Sequence, residues 1–199
     1  MSSSPYIIAE THMSTTTLSF TSGSEPQLSL MLTLMGAQQP ITISKRYYHL
    51  FASANAFIIS EVPSGRKVYT FFVDICYRLG PPLYLDADHA DGFLTLEPEI
   101  PCEVLSLDFR PLGPERNNQL VTHTHRDDHD KPHKYKFLRL GMNWLEPGKE
   151  YLISARPGLQ IGTWRRGRKE DLMPCTWNAS DGDPLQVVPS EGVQVRVEE

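Results

Sequence analysis

Cysteine is scarce in this sequence, and the three cysteines present form no recognisable pattern. Cys76, Cys102 and Cys175 lie far apart and outside any CxxC arrangement, so they predict neither a disulfide framework nor a zinc knuckle. We interpret them as reduced thiols of an intracellular protein. The chain also lacks any apolar run approaching the ~20 residues of a membrane-spanning helix, and its first residues show no secretory signal. We therefore expect a cytoplasmic protein without a membrane partner.

Catalytic signatures are missing as well. The sequence contains no HExxH, GxSxG, P-loop or GxGxxG pattern, so no complete catalytic set can be identified in it. Basic side chains are outnumbered, with 19 Lys and Arg against 24 Asp and Glu, and the net charge is -5. Because a mildly acidic chain has no general attraction for nucleic acid, we expect no nucleic-acid partner.

What the sequence does have is a series of short segments with strand character. In "QLSLMLTL" every second residue is a leucine, which predicts a half-buried strand with one apolar face. These leucines are Leu28, Leu30, Leu32 and Leu34. Similar segments recur between 16 prolines and 13 glycines, and none shows a helical stripe with caps. The pattern predicts an all-β, antiparallel sandwich or barrel with long loops.

Some segments carry more specific predictions. Two apolar runs flank residues 63–65 and predict a hairpin. "LQIGTW" (residues 159–164) is interpreted as one strand, and "RKEDLM" (residues 168–173) as a short helical turn. Residues 1–24 are rich in Ser and Thr and are predicted to form a flexible arm, which leaves residues 25–199 as a single β-sandwich domain.

The segment "NWLEPGKEYLIS" (residues 143–154) predicts how two sheets are joined. Its key residues are Leu145, Pro147, Gly148 and Tyr151. A Pro-Gly turn at this spacing can place the tyrosine ring in the core, with its hydroxyl bonded back to the upstream backbone. The segment resembles the tyrosine corner of fibronectin type III and related immunoglobulin-like domains. The resemblance implies an immunoglobulin-like β-sandwich, in which these four residues have a structural role.

A second resemblance covers more of the chain. The segments "PITI", "FIISEVPSGRKV", "FLTLEP", "LEPGKEYLIS" and "TWRRGRKEDLM" are similar to those of small β-sandwich proteins of filamentous fungi. Those proteins in turn resemble the immunoglobulin-like pro-regions of some fungal metallopeptidases. Because no active-site motif accompanies the resemblance, it implies no peptidase activity.

The best candidate for chemistry is the histidine-rich loop "VTHTHRDDHDKPHKYKF" (residues 121–137), which contains His123, His125, His129 and His133. In an extended segment the first two rings share a face, and imidazoles beside carboxylates suit zinc, iron, manganese or nickel. The His-x-His pair resembles the first metal motif of cupins, although the expected glutamate and a histidine in the second half-motif are missing. The hypothesis is a zinc or iron site; the alternative is a solvated loop without a cofactor.

The second candidate is the basic turn "TWRRGRKED" (residues 163–171). Arg165, Arg166 and Arg168 cluster around a glycine and follow Trp164. Guanidinium groups beside an aromatic ring can bind phosphate, carboxylate or a stacked base. The alternative is a hairpin turn with a solvated basic tip.

Three hypotheses for function follow. The leading one is a non-catalytic β-sandwich that binds a protein or small-molecule partner through loops at one end. The main alternative is a metal-dependent, cupin-like enzyme that uses the histidine-rich loop. A third is a small-molecule binder or cyclase-type catalyst whose site is defined by cavity shape alone. Unpaired sheet edges could also pair between two copies of the chain, so a homodimer is a further hypothesis.

Overall fold

The computed structural model describes residues 4–21, 26–45, 56–68, 83–110, 140–141 and 145–199, and in these ranges the regular secondary structure is almost entirely β-strand. The strands are β1 (Tyr6–Met13), β2 (Thr17–Ser19), β3 (Gln27–Met35), β4 (Ile41–Ser44), β5 (Phe57–Val62), β6 (Lys67–Val68), β7 (Leu83–Leu85), β8 (Phe93–Leu96), β9 (Cys102–Arg110), β10 (Leu140–Gly141), β11 (Glu150–Ala155), β12 (Gln160–Ile161), β13 (Trp164–Arg166), β14 (Cys175–Trp177), β15 (Leu185–Pro189) and β16 (Val193–Glu198). Helical structure in these ranges includes a 3-10 turn (Ala90–Gly92) and a short helix, α1 (Lys169–Leu172). Within them, no helix has the length and apolar character needed to cross a membrane.

The strands form two large sheets and two small ones. The largest has the order β10-β9-β3-β1-β15-β12, and the second has the order β2-β16-β11-β5-β6. The small sheets are β13-β4-β8 and β14-β7. Most neighbouring strands are antiparallel, as the sequence predicts, but β1 with β15, β2 with β16 and β9 with β10 are parallel. The all-β class is confirmed.

One hydrophobic core joins the two large sheets into a sandwich-like arrangement. The alternation predicted for β3 is confirmed, since all four of its leucines are fully buried. Tyr151 and Ile153 of β11, in the second sheet, belong to the same core cluster. Alternate side chains of β3 and β11 therefore face the core between the two sheets.

The N-terminal segment departs from the prediction of a flexible arm. Residues 6–13 form β1, which lies between β3 and β15 and is bonded to both. Ile7 and Ala9 are fully buried in the core. The chain then changes sheet, because β2 pairs with β16 and buries Leu18. The prediction of a flexible arm over residues 1–24 is therefore wrong for these two strands.

The connections also correct one strand boundary. The predicted hairpin at residues 63–65 is present, because β5 pairs with β6 around that turn. The predicted strand "LQIGTW" is instead two strands, since β12 pairs with β15 and β13 pairs with β4. The chain thus leaves the largest sheet after Ile161 and joins a different one at Trp164. The helical turn predicted in "RKEDLM" corresponds to α1.

The sheet β13-β4-β8 is packed on both faces. On one face Ile41, Ile43 and Trp164 join the main core. On the other face, Phe93 packs with Trp177 and Leu85 of the β14-β7 sheet in a second, smaller core. We refer to the sheets β13-β4-β8 and β14-β7, together with α1, as the accessory layer.

Candidate functional site

The Pro-Gly turn has the local geometry of a tyrosine corner. The Tyr151 ring is fully buried, and its hydroxyl accepts a 2.9 Å hydrogen bond from the backbone N–H of Glu146. Gly148 has a φ of 81°, a left-handed conformation that favours glycine, and its N–H donates to the carbonyl of Val197 on β16. Leu145 is buried beneath the turn. These contacts connect the turn to its neighbours in the second sheet.

Four charged side chains form a closed network beside this corner. Arg66 contacts Glu61 at 2.8 Å and Glu146 at 3.3 Å, and Lys149 contacts the same carboxylates at 2.9 Å and 2.7 Å. The hydrogen bonds from Lys149 and then Arg66 lower the pKa of Glu61, and that from Lys149 also lowers the pKa of Glu146. Each charge has a partner of opposite sign, so the network is suited to holding the β5–β6 hairpin next to the Pro-Gly turn.

The histidine-rich loop lies outside the described residues. This applies to all four predicted metal ligands, His123, His125, His129 and His133, so the metal site stays a prediction. In the ranges that are described, no group of three or more His, Cys, Asp or Glu side chains is arranged to hold a metal ion. The remaining candidate is the basic turn.

The basic turn is divided between two faces of β13. Trp164 faces the main core, is 2% exposed, and donates from Nε1 to the carbonyl of Asp183 at 2.8 Å. Arg166 lies on the same face, with its guanidinium 5.7 Å from the Trp164 ring centre. Trp164 is therefore a buried anchor of the layer, and it does not present its ring to solvent as a ligand-stacking platform.

Arg168 is engaged in a separate ion pair. Its Nη2 lies 3.0 Å from a carboxylate oxygen of Glu97. The following residue, Lys169, begins α1, and its backbone N–H donates to Thr95 Oγ1 at 3.0 Å. The cluster predicted from the sequence is thus not a single basic tip, because Arg168 is neutralised by a carboxylate.

Arg165 points to the opposite face and meets a residue that the sequence did not connect with it. Its guanidinium carbon lies 5.7 Å from the ring centre of Trp177, within the range of a cation–π contact. Trp177 is 5% exposed, and Phe93 packs edge-on against it at a centroid distance of 4.7 Å. Both Arg165 Nε and Trp177 Nε1 are buried and have no hydrogen-bond partner among the residues that the structure describes. Two donors of different side chains are therefore left unsatisfied at one place.

The hydroxyls on the same face of the layer are already engaged. Arg165 is paired across the strands with Thr42, which is paired with Thr95. Thr42 Oγ1 donates to the carbonyl of Gly167 at 2.8 Å and lies 3.3 Å from Thr95 Oγ1. Because these groups satisfy one another, neither threonine hydroxyl serves as an acceptor for Arg165. This face thus carries one pair of threonines whose hydroxyls are engaged, and two donors, Arg165 Nε and Trp177 Nε1, without a partner among the described residues.

The segment beyond β14 fixes the position of β13. Ser180 Oγ accepts from the Trp164 N–H at 3.3 Å, and Asp181 Oδ2 accepts from the Arg166 N–H at 2.8 Å. A Cβ atom on Gly182 would lie 2.8 Å from the Trp164 ring, so only glycine fits this close approach without movement. These contacts hold the strand edge on both sides of Arg165, and a side chain on a fixed strand is well placed for binding.

Comparison with known proteins adds no relative. No protein-family model, curated protein or solved structure matches the chain.

Proposed function

We propose that this protein is a binding protein with an immunoglobulin-like sandwich framework. The strand order supports the framework. The corner strand β11 lies between β5 and β16, as the strand with the tyrosine corner does between its two neighbours in immunoglobulin-like domains. The neighbours β1, β3 and β9 of the opposite sheet correspond to the first, second and fifth strands of that arrangement.

The accessory layer occupies the connections of this framework. In the chain, β4 falls between β3 and β5, β7 and β8 fall between β6 and β9, and β13, α1 and β14 fall between β11 and β16. In immunoglobulin-like domains, connections of this kind cluster at one end of the sandwich and include the loops that bind partners. This placement supports a binding role for the layer.

The observation that carries the proposal is the pair of unsatisfied donors. A buried polar group without a hydrogen-bond partner costs roughly 1–3 kcal/mol, and two occur here in contacting side chains, Arg165 and Trp177. The described residues contain four such groups, which also include Thr11 Oγ1 and Arg156 Nε, and those of Arg165 and Trp177 belong to side chains that contact each other. A bound ion is one explanation for such a group in a native structure. A bound partner that brings an acceptor would remove this cost, so we assign binding to this face of the accessory layer.

The proposal is tested by comparing the wild-type protein with two arginine variants. Arg165→Met keeps most of the aliphatic stem and removes the guanidinium, whereas Arg196→Met makes the same change on the exposed face of β16, outside the accessory layer. The three purified proteins are used as bait in quantitative cross-linking with extract, and recovered candidates are purified and retested for direct binding. We expect a partner or ligand that binds wild type and Arg196→Met but not Arg165→Met. Equal recovery by all three proteins would contradict the proposal.

A further inference from the structure

We propose that the group bound at the unsatisfied donors is a carboxylate, which is held by the side of the Arg165 guanidinium and by the Trp177 indole N–H. This inference deepens the proposed function and rests on it. The site consists of these two side chains, with Phe93 supporting the indole ring from the side.

The form of the unpaired arginine donor favours a carboxylate. Nε and one Nη of a guanidinium are parallel donors, and their spacing matches the two oxygens of a carboxylate. Arg165 Nε is buried and unpaired, and no salt bridge is formed by this arginine with a described residue. The residue as a whole is partly exposed. The Nε side of the guanidinium thus has no partner among the described residues, and its donor geometry suits a two-point contact.

The indole supplies a third donor next to the first two. Trp177 Nε1 is buried and has no partner in the described part of the chain, although the ring is otherwise well packed. An indole nitrogen only donates, so its partner must be an acceptor. A carboxylate has lone pairs on both oxygens for more than two hydrogen bonds, so it can accept from an indole N–H as well as from a guanidinium.

The local charge favours a monoanion over a doubly charged phosphate. Among the basic side chains of the turn, Arg168 is paired with Glu97, and Arg166 lies on the other face of β13 against Trp164. Arg165 is thus the one described guanidinium of this turn on the binding face. A single positive charge balances one carboxylate and leaves a phosphate dianion undercompensated.

The test is an NMR titration of the full chain that follows the indole N–H signals. The Trp177 signal is identified by its absence in Trp177→Phe, and the probes are sodium acetate, sodium glutarate, sodium phosphate and sodium chloride at equal ionic strength. We expect the chemical shift of the Trp177 signal to reach a plateau as acetate or glutarate is added. With chloride or phosphate we expect no plateau. The Trp164 indole, which already donates to Asp183, serves as an internal control that does not move. A Trp177 signal that saturates only with phosphate, or with none of the carboxylate probes, including the glutamate peptide described below, overturns the carboxylate assignment.

Arginine variants test the two-point contact. Arg165→Lys keeps the charge but lacks the parallel donors, and we expect it to weaken carboxylate binding by about tenfold. Arg165→Met is expected to abolish saturation, and the matched Arg196→Met variant to retain it. Binding to Arg165→Lys with wild-type affinity would show that charge alone acts, and it would overturn the proposed geometry. These variants also keep the test informative if Trp177→Phe fails to fold.

A final arm separates the two sources of a carboxylate. A capped peptide with one internal glutamate is titrated beside glutarate. Saturation by the peptide alone assigns the site to an acidic side chain of a protein partner, and saturation by glutarate assigns it to a free organic acid; both support the inference. If no carboxylate binds but partner recovery still requires Arg165, the ligand class is wrong and the proposed function stands. If recovery is the same in all variants, the proposed function itself fails.

Discussion

At the scale of single residues, three buried aromatic side chains that each carry one polar atom can be compared: Tyr151, Trp164 and Trp177. Tyr151 and Trp164 are both buried, and each uses its polar atom in a hydrogen bond to the backbone, at Glu146 and Asp183. Trp177 has the same burial without such a bond. The contrast separates two structural anchors from one residue that we assign to binding.

The hydroxyl of Tyr151 gives a direct prediction. Tyr151→Phe preserves the ring but leaves the part-buried N–H of Glu146 without its acceptor. Because an unsatisfied buried donor costs more than an average hydrogen bond contributes, we expect the free energy of unfolding to fall by about 1–3 kcal/mol in urea denaturation.

Tyr84→Phe is the matched control for this prediction. Tyr84 is 52% exposed, and its hydroxyl forms no hydrogen bond with a described residue. We expect its removal to change stability by less than about 0.5 kcal/mol. Equal stability of Tyr151→Phe and Tyr84→Phe would show that the corner hydrogen bond does not stabilise the fold.

At the scale of elements, the position of β13 depends on the close passage of the chain at Gly182. Gly182→Ala places a methyl group 2.8 Å from the Trp164 ring, so the indole or the backbone must move. We expect a loss of about 1–3 kcal/mol of stability, as for other overpacked sites, together with a changed Trp164 environment in near-UV circular dichroism.

Gly92→Ala is a suitable comparison, because Gly92 directly precedes β8 of the accessory layer. A Cβ atom at Gly92 would meet no atom within 4 Å, and the residue has no positive φ. The expected change in unfolding free energy is within about 0.5 kcal/mol of zero. If both alanine variants behave alike, the packing of Gly182 against Trp164 is not what fixes β13.

The ion network beside the corner predicts a pH dependence. The pKa of Glu61 is lowered in the folded state, so the unfolded chain binds more protons at acidic pH. The resulting stabilisation is complete above the ordinary glutamate pKa of about 4.3 and is lost as pH falls through the lowered folded value. Thermal unfolding of wild type and Glu61→Gln should differ most near neutral pH and converge on acidification.

Glu198→Gln provides the reference for this series. Glu198 is an exposed carboxylate on β16 and forms no ion pair with a described residue. Its replacement should leave the acid branch of the stability profile close to that of wild type. A Glu61→Gln profile parallel to that of wild type at all pH values would argue against the network.

Some of these strands could be predicted from the sequence and others could not. Alternating leucines predicted β3, and the order of the Pro-Gly turn and Tyr151 predicted the corner, because both signals are local. β1 was missed because Ser and Thr around it suggested a loose segment, although its own residues alternate between partly exposed and buried. The pattern of "LQIGTW" predicts one strand where the structure has two, because local patterning does not specify which partner a strand pairs with.

The candidate site was predicted only in part for the same reason. The basic turn identified Arg165 as a candidate, but three neighbouring arginines cannot be distinguished without knowing which face each occupies. Trp177 lies in a different sheet, and its contact with Arg165 depends on the stacking of the two small sheets. The one available signal was the presence of a tryptophan shortly after a basic strand, which by itself indicates no contact.

At the scale of the whole molecule, β1 determines whether the largest sheet is continuous. It is bonded to β3 along eight residue pairs and to β15 along three. We predict that deletion of residues 1–14 abolishes cooperative unfolding, because it removes the buried Ile7 and Ala9 and separates β15 from β3. Urea denaturation with size-exclusion chromatography measures this.

Deletion of residues 1–4 is the control, since it ends before β1. It should preserve a cooperative transition at nearly the same urea concentration. A cooperative, monomeric protein after deletion of residues 1–14 would mean that the first strand is dispensable, as a flexible arm would be.

The parallel pairing of β1 with β15 also affects how the chain is made. During synthesis β1 can join β3 early, but its other edge stays open until β15 has left the ribosome. A pairing between segments so far apart in the sequence slows folding, because a long loop must close first. The nascent protein therefore exposes an incomplete sheet for most of its translation, and this interval is when we expect it to depend most on chaperones.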